Sequence, residues 1–149
     1  MNRLVYDSNF LVALIDDKDK WNQKSVRIHE RIKKRGDKVI YLDCVANEVI
    51  SVLGRRCEEK GQSKEFGTIL NQFKTLIPGE WITWIYPGIK RIYPDILNLI
   101  AASDGKLNFH DALIALYVRG KRIKYIVSFD DDFDQVKWLK RIKEETDLP

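Results

Sequence analysis

Cysteine is nearly missing from these 149 residues, and the two present, Cys44 and Cys57, are not placed to pair. Both fall on one predicted helix, about 20 Å apart at 1.5 Å rise per residue, which is beyond the reach of a disulfide. They read as buried thiols of a cytosolic chain. Histidine is equally sparse, with two in the chain, and only His110 stands near the carboxylates discussed below. With no paired cysteines either, zinc lacks its usual ligands. No apolar run is long enough to span a bilayer. The opening Met1-Asn-Arg-Leu-Val-Tyr-Asp7 reads as a strand and lacks a signal-peptide pattern, so the expected location is the cytoplasm, with no membrane partner. Internal repeats, low-complexity segments and linkers are absent.

What is present suits one globular unit. Apolar residues make up 44% of the chain, enough for a core and too many for a disordered segment. The length predicts a single domain over residues 1–149, able to bury most of its apolar surface without staples. A balance of 26 basic to 22 acidic residues gives a net charge of +4 and a pI near 9. That favours an anionic partner such as nucleic acid, although charge speaks to encounter rather than to chemistry. A composition rich in Lys, Glu, Arg and Ile and poor in Gln also fits a heat-adapted protein whose charges are solvated ion pairs. Composition leaves both readings open.

Apolar runs alternate with helical patterns along the chain. Leu4-Val-Tyr6 is a short buried strand that stops at Asp7 and hands over to a helical segment from Phe10 to Ile15. Trp21 to Arg35 is an amphipathic helix ended by Gly36. Val39-Ile-Tyr-Leu42 is the second strand, and Asp43 can cap a helix from Cys44 to about Lys60. Gly61 separates that helix from the next, Ser63 to Thr75. Pro78-Gly79 and Pro87-Gly88 bracket a third strand, Trp81 to Tyr86. A helical pattern from Ile89 to Ala102 contains Pro94, which should kink it or start its second half. Tyr125-Ile-Val-Ser128 is the fourth strand, and a short final strand falls within Val136 to Lys143. Strands alternating with helices imply parallel pairing and an open α/β sheet in a three-layer domain.

The helix that organises this pattern is Leu107 to Tyr117. Phe109, Ala112, Leu113 and Leu116 form a core-facing stripe, and Ile114, Ala115 and Val118 fill most of what remains. One carboxylate, Asp111, sits in its first turn. Asn108 as N-cap and Asp111 three residues on make a capping-box start, which accounts for Asp111 if it is taken alone.

Other carboxylates change that balance. Ligands of open parallel sheets bind outside the carboxyl ends of the strands, where the winding reverses. Asp7 and Asp130 both end apolar strands, and Asp111 opens the helix that leads into the fourth strand. If the first and fourth strands are neighbours, all three converge. Glu48 lies either on the inward side of its helix, near Cys44, Val45 and Val52, or on a solvated stripe with Asn47, Ser51 and Arg55. Singly, each acid has an ordinary reading as a cap or turn residue. Together they would raise one another's pKa values and destabilise the fold, unless a divalent cation removes the conflict. All-oxygen ligation indicates a hard ion, Mg²⁺ or Mn²⁺.

In order and spacing, Val5-Tyr-Asp-Ser-Asn9, Ala46-Asn-Glu-Val49, Asn108-Phe-His-Asp-Ala-Leu-Ile114 and Ser128-Phe-Asp-Asp-Asp-Phe133 resemble the four acidic motifs of PIN-domain ribonucleases. The likeness covers essentially the whole chain and points to small stand-alone members typified by VapC toxins of toxin–antitoxin pairs. It implies a parallel five-stranded sheet in order 3-2-1-4-5, flanked by helices. It also implies an endoribonuclease that depends on Mg²⁺ or Mn²⁺ and leaves 5′-phosphate and 3′-hydroxyl ends. By that resemblance Asp7 and Asp111 are the most secure metal ligands, and Glu48 and Asp130 complete a catalytic quartet directly or through water. Ser8 and Ser128 stand where the family carries supporting hydroxyls; Asp132 and Asp134 are left outside the site. The implied partners are RNA, a cognate antitoxin protein and a second copy of the chain in a homodimer.

Substrate-gripping candidates are Lys18, Lys20, Arg55, Arg56 and Lys106. His110 reads as a packed or surface residue. A phosphatase with an aspartate nucleophile on the same sheet would need a second Asp two residues after Asp7, where this chain has Asn9. An RNA-processing nuclease, or a PIN-fold interaction module without catalysis, is the alternative to a toxin.

Overall fold

The structure, a computed structural model, describes residues 1–149. Its strands are β1 (Arg3–Tyr6), β2 (Lys38–Leu42), β3 (Ile82–Thr83), β4 (Tyr125–Val127) and β5 (Lys140–Ile142). They form one five-stranded sheet in order β3-β2-β1-β4-β5, and every pairing is parallel. The helices are α1 (Ser8–Ile15), α2 (Asn22–Arg35), α3 (Asp43–Glu59), α4 (Phe66–Leu76), α5 (Ile89–Ala102) and α6 (Phe109–Gly120). No helix is long and apolar enough to cross a membrane.

The expected adjacency of the first and fourth strands is present, with Val5 opposite Ile126 and Tyr6 opposite Val127. Central strands of a parallel sheet are covered on both faces, which is why they read as continuous apolar runs. Leu4, Val5, Tyr6, Ile126 and Val127 are all fully buried. One core of 32 buried residues joins sheet and helices. In α6 the residues Ala112, Leu113, Ala115 and Val118 are fully buried, each large side chain contributing roughly 1.5–3 kcal/mol by leaving water. Burial fixes the rotation of α6, and with it the direction in which its first turn points.

Local signals account for most boundaries. Gly36 ends α2 with φ 69°, the left-handed conformation that a Cβ disfavours. The α5–α6 turn uses Asp104 and Gly105, both at positive φ. There the Ser103 hydroxyl accepts the Leu107 N–H at 3.1 Å, which sets the approach to α6.

Two expectations need correction. The third strand does not span Trp81 to Tyr86; only Ile82 and Thr83 pair with β2. The N–H groups of Ile85 and Tyr86 instead donate to Asp43 Oδ2 at 2.9 and 3.0 Å, so the chain leaves the sheet to meet a buried carboxylate. The short final strand is present as Lys140–Ile142, within the expected Val136 to Lys143. The Ser63 to Thr75 helix begins with a separate 3₁₀ turn, Ser63–Glu65, before α4. Pro94 lies inside α5, which continues on both sides of it as one helix. Cys44 and Cys57 are buried and free, as their spacing on α3 requires.

Candidate metal centre

Asp7 is fixed by the sheet itself. Its N–H donates to Val127 O at 3.0 Å, carrying the β1–β4 pairing one residue past the strand. Its Oδ1 accepts the Ser8 N–H at 2.8 Å, capping α1, and its Oδ2 accepts the Ser128 hydroxyl at 2.6 Å. The residue is 4% exposed. Burial is the main cause that pushes its pKa up to about 6; the Ser128 and Ser8 hydrogen bonds oppose this, and the charges of Glu48 and Asp130 add to it.

Asp111 completes the capping box with Asn108. Its N–H donates to Asn108 Oδ1 at 2.8 Å, and the Asn108 N–H donates to Asp111 Oδ2 at 3.3 Å. The cap therefore consumes one carboxylate oxygen and leaves Oδ1 for another purpose. Burial first, then Asp7, Asp130 and Glu48, push its pKa up to about 7. Capping and site membership, posed as alternatives by the sequence, coexist in one side chain.

Asp130 is half-buried. Its N–H donates to the Ser128 hydroxyl at 3.0 Å, and its Oδ1 accepts the Asp132 N–H at 2.9 Å. Carboxylate oxygens of Asp111, Asp130 and Asp132 all lie within 4.8 Å of one another. Asp132, left outside by the sequence reading, thus stands inside the tightest acidic group. Its pKa is raised by partial burial and by Asp130 and Asp131, with Lys106 opposing. Asp134 is turned away, held by Arg141 at 2.6 and 2.8 Å.

Glu48 takes the solvated one of its two expected placements. It is exposed beside Asn47, Ser51 and Arg55, while Cys44, Val45, Val49 and Leu53 form the buried side of α3. The rotation of α3 about that stripe leaves Glu48 at the margin, outside the close trio, as is Asp7. Its charge nevertheless bears on both Asp7 and Asp111.

The supporting residues divide. Ser128 is fully buried and holds Asp7 and Asp130 together through one oxygen. Ser8 contributes its backbone N–H to Asp7. Sequence reasoning missed Asn9, whose Oδ1 accepts the Phe129 N–H at 3.0 Å and whose Nδ2 lies 3.3 Å from Ser128 Oγ. Its position two residues after Asp7 was the available signal. Asp43, 1% exposed, was read only as a cap; it does receive the Cys44 N–H at 2.8 Å, but also anchors Ile85 and Tyr86. His110 packs edge-on against Tyr86 and Phe109.

The basic candidates are also sorted. Arg56 binds Asp16 and Asp19 at 2.9 and 2.8 Å and serves the α1–α2 loop. A cavity of about 340 Å³ opens beside that loop, bounded by Asp16, Lys18, Arg56 and Lys60 and by none of the site carboxylates.

An all-oxygen donor set of crowded carboxylates, with neutral nitrogen and sulfur ligands absent, fits a hard divalent cation. Mutual repulsion of the acids is the conflict such a cation relieves.

The family model described as "PIN domain" matches residues 4–139. Among solved structures, VapC20 of Mycobacterium tuberculosis, described as a Sarcin-Ricin loop cleaving toxin, is similar at a TM-score of 0.65 and 17% identity. The match covers 90% of this chain and 95% of that one. VapBC2 from Rickettsia felis, solved with a DNA fragment from its promoter, is similar at a TM-score of 0.65 and 13% identity, covering 94% and 97%. At these identities the likeness is one of fold. No curated protein matches the sequence.

Proposed function

The chain belongs to the PIN-domain family, and from that premise we propose that it is a metal-dependent endoribonuclease, the toxin of a toxin–antitoxin pair. The single observation that carries this reading is the gathering of Asp111, Asp130 and Asp132 oxygens within 4.8 Å, with Asp7 tied to Asp130 through the Ser128 hydroxyl. Residues 1–149 act as one nuclease domain on this reading.

Mg²⁺ or Mn²⁺ would be held by Asp7, Asp111 and Asp130, with Glu48 reaching in from the margin and Asp132 available beside them. Such an ion supplies Lewis acidity for hydrolysis of a phosphodiester. The chain's own residues prepare the place. Ser128 orients the Asp7 carboxylate and the Asp130 backbone together. The Asn108 cap holds one oxygen of Asp111 and leaves the other facing the site. Burial keeps Asp7 and Asp111 poorly hydrated, so their affinity for a cation is not spent on water.

RNA is the substrate on this reading, supported by the net charge of +4 and by the family. An antitoxin partner rests on the VapC-like fold, in which one similar structure is a VapBC complex. A homodimer is expected on the same ground. The test is RNA cleavage in Mg²⁺ or Mn²⁺ by wild type and by Asp111→Asn. Cleavage by wild type alone supports the reading; equal cleavage by both removes the mechanism.

A further inference from the structure

One exposed aromatic ring packs on the chain neighbour of Asp130. Trp21 is 39% exposed, and its indole stacks on Phe129 with centroids 5.2 Å apart and planes 22° from parallel. Phe129 lies in the chain between Ser128 and Asp130, and its ring rests in turn on Phe10 at 5.7 Å. The indole is therefore joined through one side chain to the loop that carries Asp130.

The backbone under Trp21 is pinned. Asp19 Oδ1 accepts the Trp21 N–H at 2.8 Å, and Arg56 of α3 binds Asp19 Oδ2 and Asp16 Oδ2. Arg56 thus fixes the loop that presents the ring. Two cations lie over it: Lys20 Nζ and Lys24 Nζ are 5.3 and 5.4 Å from the ring centroid. Lys24 has a carboxylate, Glu144, at 3.6 Å; Lys20 has none. A rigid indole backed by Phe129, with mobile ammonium groups over it that can turn to a phosphate as a base takes their place, is the combination that takes an unpaired base together with its phosphate. A duplex offers no free base face to such a ring.

We propose that Trp21, with Lys20 and Lys24, is a base-stacking subsite that seats one nucleotide of single-stranded RNA beside the acidic site. The inference rests on the ribonuclease reading above and names the part of the substrate that Trp21 touches. Stacking on an indole tolerates any base, so this subsite positions the strand rather than reading its sequence. If Trp21 served only to cover Phe129, leucine would serve as well.

The test uses the Asp111→Asn protein in Mg²⁺, so that bound RNA survives, and follows the anisotropy of a labelled single-stranded oligoribonucleotide. Adding Trp21→Leu should weaken binding by at least about fivefold. Trp21→Phe, which keeps both the Phe129 contact and a π-face, should weaken it less and melt at the parent's temperature. An oligonucleotide of the same length with abasic sites should bind equally with and without the Trp21 substitution. Undiminished binding of base-bearing RNA by Trp21→Leu, in a protein whose wild type cuts RNA, overturns the subsite alone. A parent that does not bind RNA, together with a wild type that does not cut it, overturns the ribonuclease reading, and the subsite with it.

Discussion

The Ser128 hydroxyl donates to Asp7 Oδ2 at 2.6 Å across 121 positions of sequence. It has one proton to give, and the same oxygen accepts the Asp130 N–H at 3.0 Å. One buried atom thereby couples the ends of β1 and β4. Ser128→Ala removes a donor from a buried carboxylate and an acceptor from a loop amide. The expected cost is about 1–3 kcal/mol, read as a lower urea midpoint. Mn²⁺ should also bind about 10–100-fold more weakly, the usual penalty for losing a residue that orients a metal ligand. A Mn²⁺ titration followed by melting temperature measures this, and an unchanged affinity would show that Ser128 serves folding only.

Asp111 makes stability depend on pH in an unusual direction. In the folded chain it keeps its proton up to about pH 7, whereas an unfolded Asp loses its proton near ~3.9. Between these values the folded state binds more protons than the unfolded one, so stability falls as pH rises. The loss by neutral pH is on the order of a few kcal/mol, less whatever solvent screens at the open oxygen. Asp111→Asn, which can keep the Asn108 cap, should therefore melt higher than wild type at pH 7 without metal and at the same temperature near pH 4. Wild type should gain stability from Mn²⁺ by mass action and the variant should not. A variant that melts lower at both pH values would contradict this account of the site's strain.

Asp43 is expected to dominate the stability of the β3 side of the sheet. It accepts three backbone N–H groups, from Cys44, Ile85 and Tyr86, at 1% exposure. Asp43→Ala strands them together in a dry place, and a cost above about 3 kcal/mol follows if each loses roughly 1 kcal/mol or more. Asp43→Asn keeps one acceptor oxygen and should recover part of it. Urea unfolding of both variants checks the order.

The difference between Asp43 and Asp7 also shows how far the sequence could be read. Leu4-Val-Tyr6 and Tyr125-Ile-Val127 announced themselves as central parallel strands because they are apolar on both faces, and the capping box at Asn108 because its two partners are three residues apart. Those signals are local. The short β3 was not legible, since what ends it is Asp43, some forty residues earlier in the chain. Glu48 was ambiguous because its helix has a narrow buried stripe, and a residue beside such a stripe faces whichever way tertiary packing turns it. Asp132 joins the acidic group through a 3₁₀ turn capped by Asp130, a geometry that a run of acidic residues does not specify.

Asn9 offers the last check, because it stands where a second aspartate would convert the β1 motif into that of an aspartate-nucleophile phosphatase. Its Oδ1 accepts the Phe129 N–H, and its Nδ2 points at Ser128 Oγ at 3.3 Å. Asn9→Asp would preserve the first contact, turn the second from donor–acceptor into oxygen against oxygen, and add a charge one hydrogen-bonded hydroxyl away from Asp7. Well below the ordinary Asp value of about 3.9 the new carboxyl is protonated and close in shape to the amide, so at about pH 3 the variant should melt close to wild type. As pH rises the added charge meets Asp7, whose pKa already stands at about 6, and each opposes ionisation of the other. Folded-state proton uptake then exceeds that of the unfolded chain over a wider range, so the difference in melting temperature should grow steadily toward pH 8. Saturating Mn²⁺ should shrink that difference, since the cation offsets the extra charge. A pH-independent difference would mean that Asn9 acts through its hydrogen-bond geometry alone and that its charge neutrality does not matter to the acidic site.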